Sequence, residues 1–238
     1  MPAMAPEWLE KLLVLQDRDA HRRLTETQLA AIPSERESAE RKISQHTAII
    51  GEAQERVRHL ELERGRLEQE IAAAEEQARK YRNQQIQVKK NDEFQALTHE
   101  ILGTEAKISE LEGEEIQILY DLDAEREKTA AEVKAQNEEI AFQKNQLVKL
   151  SEKDGNLKTE MGRANDAVEA AREEVTIESI RVYDRLAKVL TLPVIVALRG
   201  QKCTGCYLRV SAGVDAEVRG RGEMTACDNC TRILYCEI

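Results

Sequence analysis

Apolar positions recur along the chain at alternating steps of three and four, in two long series. The first is Leu29, Ile32, Arg36, Ala39, Ile43, His46, Ile50, Ala53, Val57, Leu60, Arg64, Leu67, Ile71, Ala74, Ala78 and Tyr81. The second is Phe94, Leu97, Ile101, Thr104, Ile108, Leu111, Ile118 and Leu122. It slips in phase, then resumes through Val133, Ile140 and Leu147, and again from Leu157 and Met161 to Ala171 and Val175. A seam with this period, kept for many turns, is that of a coiled coil, and the slips are stutters that alter the supercoil without ending the helix. His46 and Arg64 interrupt the first seam and are expected to carry their polar ends out to solvent.

Breaks in the pattern set the expected chain path. Pro33 should kink or restart the first helix. Asp154-Gly155-Asn156 is a turn signal inside the second half, where a bend is favoured over a break. Between the seams lies YRNQQIQVKKNDEFQAL, in which the period lapses. Asp92 with Gln95 three residues later resembles a capping box at the start of a new helix. The fold class expected is therefore mostly α: a long antiparallel coiled-coil hairpin over residues 1–192, with its tip near residues 83–91. An arm of this length would extend about 110 Å, with the second helix overhanging by roughly 25 residues. Residues whose numbers sum to about 174 should face one another. Such an arm encloses no cavity for catalysis.

Composition agrees. Of 238 residues, 34% are charged and only 3% aromatic, a profile of long helices rather than of one large core. The net charge is −10, and residues 193–238, with six basic and five acidic side chains, carry almost none of it. An acidic rod is a poor general binder of phosphate backbones, so nucleic acid is an admissible partner but not the favoured one. The stretch MPAMAPEWLEKLLVLQDRD has no basic leader region, and nothing approaches a membrane span. A cytoplasmic location is expected, where thiols stay reduced.

The remaining chemistry lies in residues 193–238. Cys203-x2-Cys206 and Cys227-x2-Cys230 are separated by twenty residues, the spacing of a zinc site with four thiolate ligands. Gly213, Gly220 and Gly222 lie between strand-like pieces, which predicts two joined β-hairpins. A segment of this size, with two tyrosines as its aromatics, needs one structural zinc ion for much of its folding energy. A redox CxxC would need a βαβ context that is absent, and four protein ligands leave no open position for catalysis. Cys236 is left over, read as a small apolar residue of a final strand, Ile233 to Cys236.

These residues resemble the bacterial four-cysteine zinc-ribbon family with a long amino-terminal coiled-coil hairpin. The resemblance covers essentially the whole chain and is most specific at VKKNDEFQALTHEI (Val88 to Ile101) and CDNCTRILY (Cys227 to Tyr235). It implies a kinked antiparallel hairpin, a zinc ribbon, and an association with sigma-54 and with flagellar or type III secretion assembly. It also implies zinc ligation by Cys203, Cys206, Cys227 and Cys230, and a closing strand at Arg232 to Tyr235. Thr231 departs from a position where glycine is common, and Cys236 from one where an aromatic is common. Lys89, Lys90, Asp92, Glu93 and Phe94 form a candidate docking epitope at the tip, or else simply a cap, a seam start and solvated lysines.

The function expected is that of a non-enzymatic adaptor or chaperone-like protein with protein partners. A nucleic-acid-binding ribbon and an RNA polymerase secondary-channel factor, with Asp92 and Glu93 as tip acids, are the alternatives. The sequence leaves the oligomeric state open.

Overall fold

The computed structural model describes residues 6–220 and 224–236. Two long helices, α1 (Glu7–Gln87) and α2 (Asn91–Glu173), are followed by α3 (Ile177–Val189). A small sheet region then contains β1 (Ile195–Arg199), β2 (Lys202–Cys203), α4 (Ala212–Gly220), β3 (Thr225–Ala226) and β4 (Ile233–Cys236). The chain forms two compact units, one of Glu37–Val148 and one of Met1–Arg36 with Lys149–Ile238.

The first of these is an antiparallel pair of helices. Ala39, Ala53, Leu67, Ala74 and Ala78 of α1 are buried, as are Ile101, Leu111, Leu122 and Ile140 of α2. All belong to the two series read from the sequence. Alanine on one helix opposite leucine and isoleucine on the other lets the axes approach while filling the seam. Of the two polar interruptions, Arg64 pairs with Glu68 on its own helix at 3.0 Å, whereas His46 is met across the seam, as is Thr129. His46 Nδ1 lies 2.5 Å from Gln136 Oε1, and the Thr129 hydroxyl donates to the Ala53 carbonyl at 3.3 Å. His46 therefore does not simply reach water.

Register differs from the expected one. His46 faces Gln136 (sum 182), Arg56 bonds Glu125 (181) and Glu132 (188), and Arg126 bonds Glu61 (187). Part of the excess over 174 arises because α1 continues through Gln87, so the turn is only Val88 to Lys90 and is centred on residue 89 rather than 87. Asp92 is not the cap. It lies in the first turn of α2 with Glu93, where a negative charge suits the helix dipole, and the Lys90 carbonyl accepts from the Phe94 N–H at 3.1 Å. Gln85 Nε2 donates to Thr98 Oγ1 at 2.7 Å across the turn.

The other unit is built on the opening turns of α1. Pro33 does not restart this helix: α1 is continuous through it. The missing amide of one residue is a local loss that the seam contacts of Ile32 and Ala39 on either side offset. The Asp154–Asn156 signal does not divide α2 either; Lys158 pairs with Asp154 at 2.6 Å on an unbroken helix. The break falls later, at Glu174 to Thr176, so no long overhang exists.

After that break α3 packs beside α1. Asp19, 4% exposed, accepts from Arg22 Nη2 at 2.7 Å and from the Tyr183 hydroxyl at 3.1 Å, and pairs with Arg23 at 3.1 Å. Arg23 also donates to the Ala187 carbonyl. Burial opposes charge on Asp19, but the Arg22 hydrogen bond, the Arg23 charge and the Tyr183 hydroxyl outweigh it and hold the carboxyl below its ordinary range. Burial, with Asp19 beside it, pushes the Tyr183 phenol well up.

The sheet has strand order β2-β1-β4-β3, with antiparallel hairpins β1–β2 and β3–β4 joined by the parallel pair β1–β4. Two hairpins were expected. The segment between them is partly helix α4 rather than strand, with Val218 buried beneath it and Asp215 paired with Arg219. Gly200 and Gln201 both have positive φ, as a two-residue hairpin turn matched to strand twist requires.

Strand β1 is buried from Ile195 to Leu198, and its alternating side chains serve two cores. Ile195 joins Ile233, Leu12, Leu15, Val168 and Tyr183 from the helices. Val196 and Leu198 join Leu234, Val210, Val218, Cys203 and Cys227 on the other face. An uninterrupted apolar run is what a strand covered on both faces needs. One side chain aligns it: the Gln16 carbonyl oxygen accepts from the N–H groups of Val194 and Ile195, both at 2.7 Å, and its amide donates to the Ile195 carbonyl at 3.0 Å.

Candidate metal centre

Two equivalent loops present the four cysteines. In the first, the Tyr207 N–H donates to the Cys203 carbonyl at 2.8 Å and the Gly205 N–H points at Cys203 Sγ at 3.3 Å. In the second, the Thr231 N–H donates to the Cys227 carbonyl at 2.9 Å. Each loop ends on a residue with positive φ, Tyr207 at 63° and Thr231 at 62°. The departure noted at Thr231 is thereby explained: glycine reaches this backbone region freely, whereas a β-branched residue occupies it at a cost.

Gly205 has a separate reason to be glycine. A Cβ there would lie 2.5 Å from Cδ of Arg232 and 3.3 Å from a methyl of Val196. The Arg232 side chain runs past it to donate to the carbonyls of Pro193 at 2.9 Å and Thr191 at 3.3 Å. The loops are also tied to each other's surroundings. Asp228 accepts from the Ser211 N–H at 2.9 Å, and Asn229 donates to the Arg209 carbonyl at 3.0 Å.

Together these constraints bring the sulfurs of Cys203, Cys206, Cys227 and Cys230 within 4.8 Å of one another. Cys203 to Cys230 is 3.7 Å and Cys206 to Cys227 is 3.9 Å. A tetrahedron with bonds of about 2.3 Å has edges of about 3.8 Å, so the set fits one metal ion bound by four thiolates. Burial pushes the Cys203 thiol up to about 12 and raises that of Cys227. Burial also resists ionisation of Cys230, but the backbone N–H and side chain of Arg232 overcome it and bring this thiol down to about 7. An ion entering the site must therefore displace protons, and its uptake weakens as pH falls. Cys236 is outside the cluster. It sits on β4 opposite Leu198 and packs, half-buried, against the core of this region.

The five tip residues sit together at the turn and the start of α2, all exposed, with Phe94 48% accessible and Lys90 paired with Glu93 at 3.1 Å. Phe94 is therefore outside the seam, which begins at half-buried Leu97. Gln16, Asp19 and Tyr183, which hold the sheet and α3 to α1, were not singled out from the sequence. The available signal was weak: a Thr176 cap followed by Ile180, Tyr183 and Ala187 at helical spacing.

No protein-family model and no curated protein sequence matches the chain. Solved structures do. The CT398 protein of Chlamydia trachomatis is 20% identical with a TM-score of 0.79, the match covering 96% of this chain and 97% of that one. A protein from Mycobacterium smegmatis is 16% identical with a TM-score of 0.66, over 99% and 100% of the two chains. The HP0958 protein of Helicobacter pylori is 18% identical with a TM-score of 0.53, over 99% of each. At these identities the likeness is one of fold alone.

Proposed function

We propose that the protein is a non-enzymatic, zinc-binding adaptor that recognises protein partners in the reducing cytoplasm. The observation that carries this reading is the sulfur geometry. Four thiols within 4.8 Å of one another, two of their separations matching a tetrahedral edge, can satisfy an ion completely, and a closed site builds structure rather than activating water. All-thiolate tetrahedral ligation favours zinc over the oxygen-seeking divalent ions. Long paired helices with exposed charged faces then supply binding surface. The sequence resemblance directs the search for partners to sigma-54-dependent transcription and to flagellar or type III secretion assembly.

Elemental analysis of the purified full chain should give one zinc per molecule, and Cys236→Ala should keep it. Absence of zinc after metal-replete purification, or its loss in Cys236→Ala, would overturn the ligand assignment. Capture from native extract, compared between the zinc-loaded chain and Cys227→Ser, should return defined proteins rather than nucleic acid. Nuclease-sensitive capture would replace the adaptor reading with the nucleic-acid one.

A further inference from the structure

Helix α2 carries a second apolar stripe that faces away from α1. Its seam runs through Ile101, Leu111 and Leu122, which are buried, and Ile108 and Ile118, which are half-buried. Roughly half a turn away, Leu102, Ala106, Ser109, Gly113, Ile116 and Tyr120 follow one another at steps of four, three, four, three and four. All six are exposed, Leu102 by 59%, Ile116 by 53% and Tyr120 by 69%. Large side chains at both ends and small ones in the middle make a shallow saddle in which another helix can seat. A Cβ on Gly113 would touch nothing within 4 Å, so the glycine is not required by the hairpin itself.

The charge around this stripe selects its occupant. Residues 99–123 contain eight carboxylates and one lysine, a net of −7. The positions flanking the stripe include Glu105, Glu110 and Glu112, and no basic residue of α2 flanks it. A groove of about 630 Å³ between α1 and α2 reaches the same edge, lined by Ser109, Glu105, Glu112, Glu75 and Glu76 along with Arg79 and Arg82. A second copy of α2 would set carboxylates against carboxylates, which disfavours self-association through this face. A helix with an apolar 3-4 seam and Lys or Arg beside it meets both requirements.

We propose that the 102–120 face of α2 is a docking site for a basic amphipathic helix of a partner protein, locally making a three-helix coiled coil. This rests on the adaptor reading and names the surface and the partner chemistry. Binding through such a face combines burial of Leu102, Ile116 and Tyr120 with a charge term that salt weakens.

The test uses the full zinc-loaded chain and two synthetic three-heptad peptides with Ile and Leu at the seam, flanked by lysine in one and glutamate in the other. Fluorescence anisotropy should show the lysine peptide binding and the glutamate peptide not, with affinity falling as salt is added. The double substitution Ile116→Gln with Tyr120→Gln should weaken binding at least about tenfold. Both positions are exposed, so circular dichroism should show unchanged helicity. Ile86→Gln, at an exposed apolar position near the tip, should leave binding unchanged. Equal binding of the two peptides, or no effect of the double substitution, would overturn the proposal. So would sedimentation showing a dimer that the double substitution dissociates, since the occupant would then be a second copy. Zinc content and extract capture are separate readouts, so failure here leaves the adaptor reading to its own test.

Discussion

Single residues decide whether the cysteine loops close. Thr231 holds a left-handed backbone, which costs a non-glycine residue roughly 1–2 kcal/mol. Thr231→Gly should relieve part of that cost, so the variant should resist a competing chelator better than the parent. Gly205→Ala should act in the opposite direction, because its methyl group displaces the Arg232 side chain from Pro193 and Thr191. Its zinc should be lost at lower chelator concentration, with the helical signal of α1 and α2 unchanged. Asp19 gives a pH prediction. Its folded carboxyl titrates below the ordinary value, so its contribution to stability is complete above the unfolded pKa of about 4 and is lost as pH falls through the folded one. Trp8, the chain's single tryptophan, packs against the same core and should report unfolding there. Asp19→Asn should destabilise the protein at neutral pH and flatten the acid dependence of the Trp8 transition.

At the scale of elements, the helices were legible and their ends were not. A seam of many heptads outweighs any single contrary residue, so α1 crosses Pro33 and α2 crosses Gly155. The reverse happened at Glu174 to Thr176, where no glycine or proline announces the break. There Val175 is needed in the core, and Tyr183 must reach Asp19, so long-range packing ends the helix. The tip was located but its width was overestimated by several residues, which shifted the register. Cysteines placed by Ala53→Cys and Thr129→Cys in the zinc-loaded chain should therefore cross-link within one molecule, and Ala53→Cys with Asp121→Cys should not. Peptide mapping by mass spectrometry distinguishes them. The seam also ranks its own leucines. Leu67→Ala empties a buried position and should cost about 2–5 kcal/mol in denaturant unfolding, whereas Leu62→Ala, 65% exposed, should change little.

Across the whole molecule, the cysteine spacing announced four ligands, and the structure assembles those four side chains. What spacing could not show is that the sheet bearing them is held from outside. Ile195 and Ile233 complete a core with Leu12 and Tyr183, and Gln16 takes two backbone groups of Ile195 in β1 and the N–H of Val194 just before it. Leu12 and Gln16 lie some 180 positions from Ile195 in sequence, beyond any local pattern. On the proposed zinc-bound reading, the ion would thus be one of two supports for residues 193–238. Removing it with a chelator should open the cysteine loops to proteolysis, while Trp8 fluorescence changes only in part. Complete loss of the Trp8 signal on chelation would show that the helical contacts contribute nothing independently.

The Gln16 clasp also has a consequence in time. A ribosome makes α1 first, and Leu9, Leu12 and Leu15 then have no partners until residues from Val168 onward exist. At about 5–20 residues per second, that wait is roughly ten to thirty seconds. Through it the nascent chain exposes a leucine-rich amphipathic segment with nothing to cover it. The leucines of α1 are made well before the residues that bury them, and they are where holding factors should engage the growing chain.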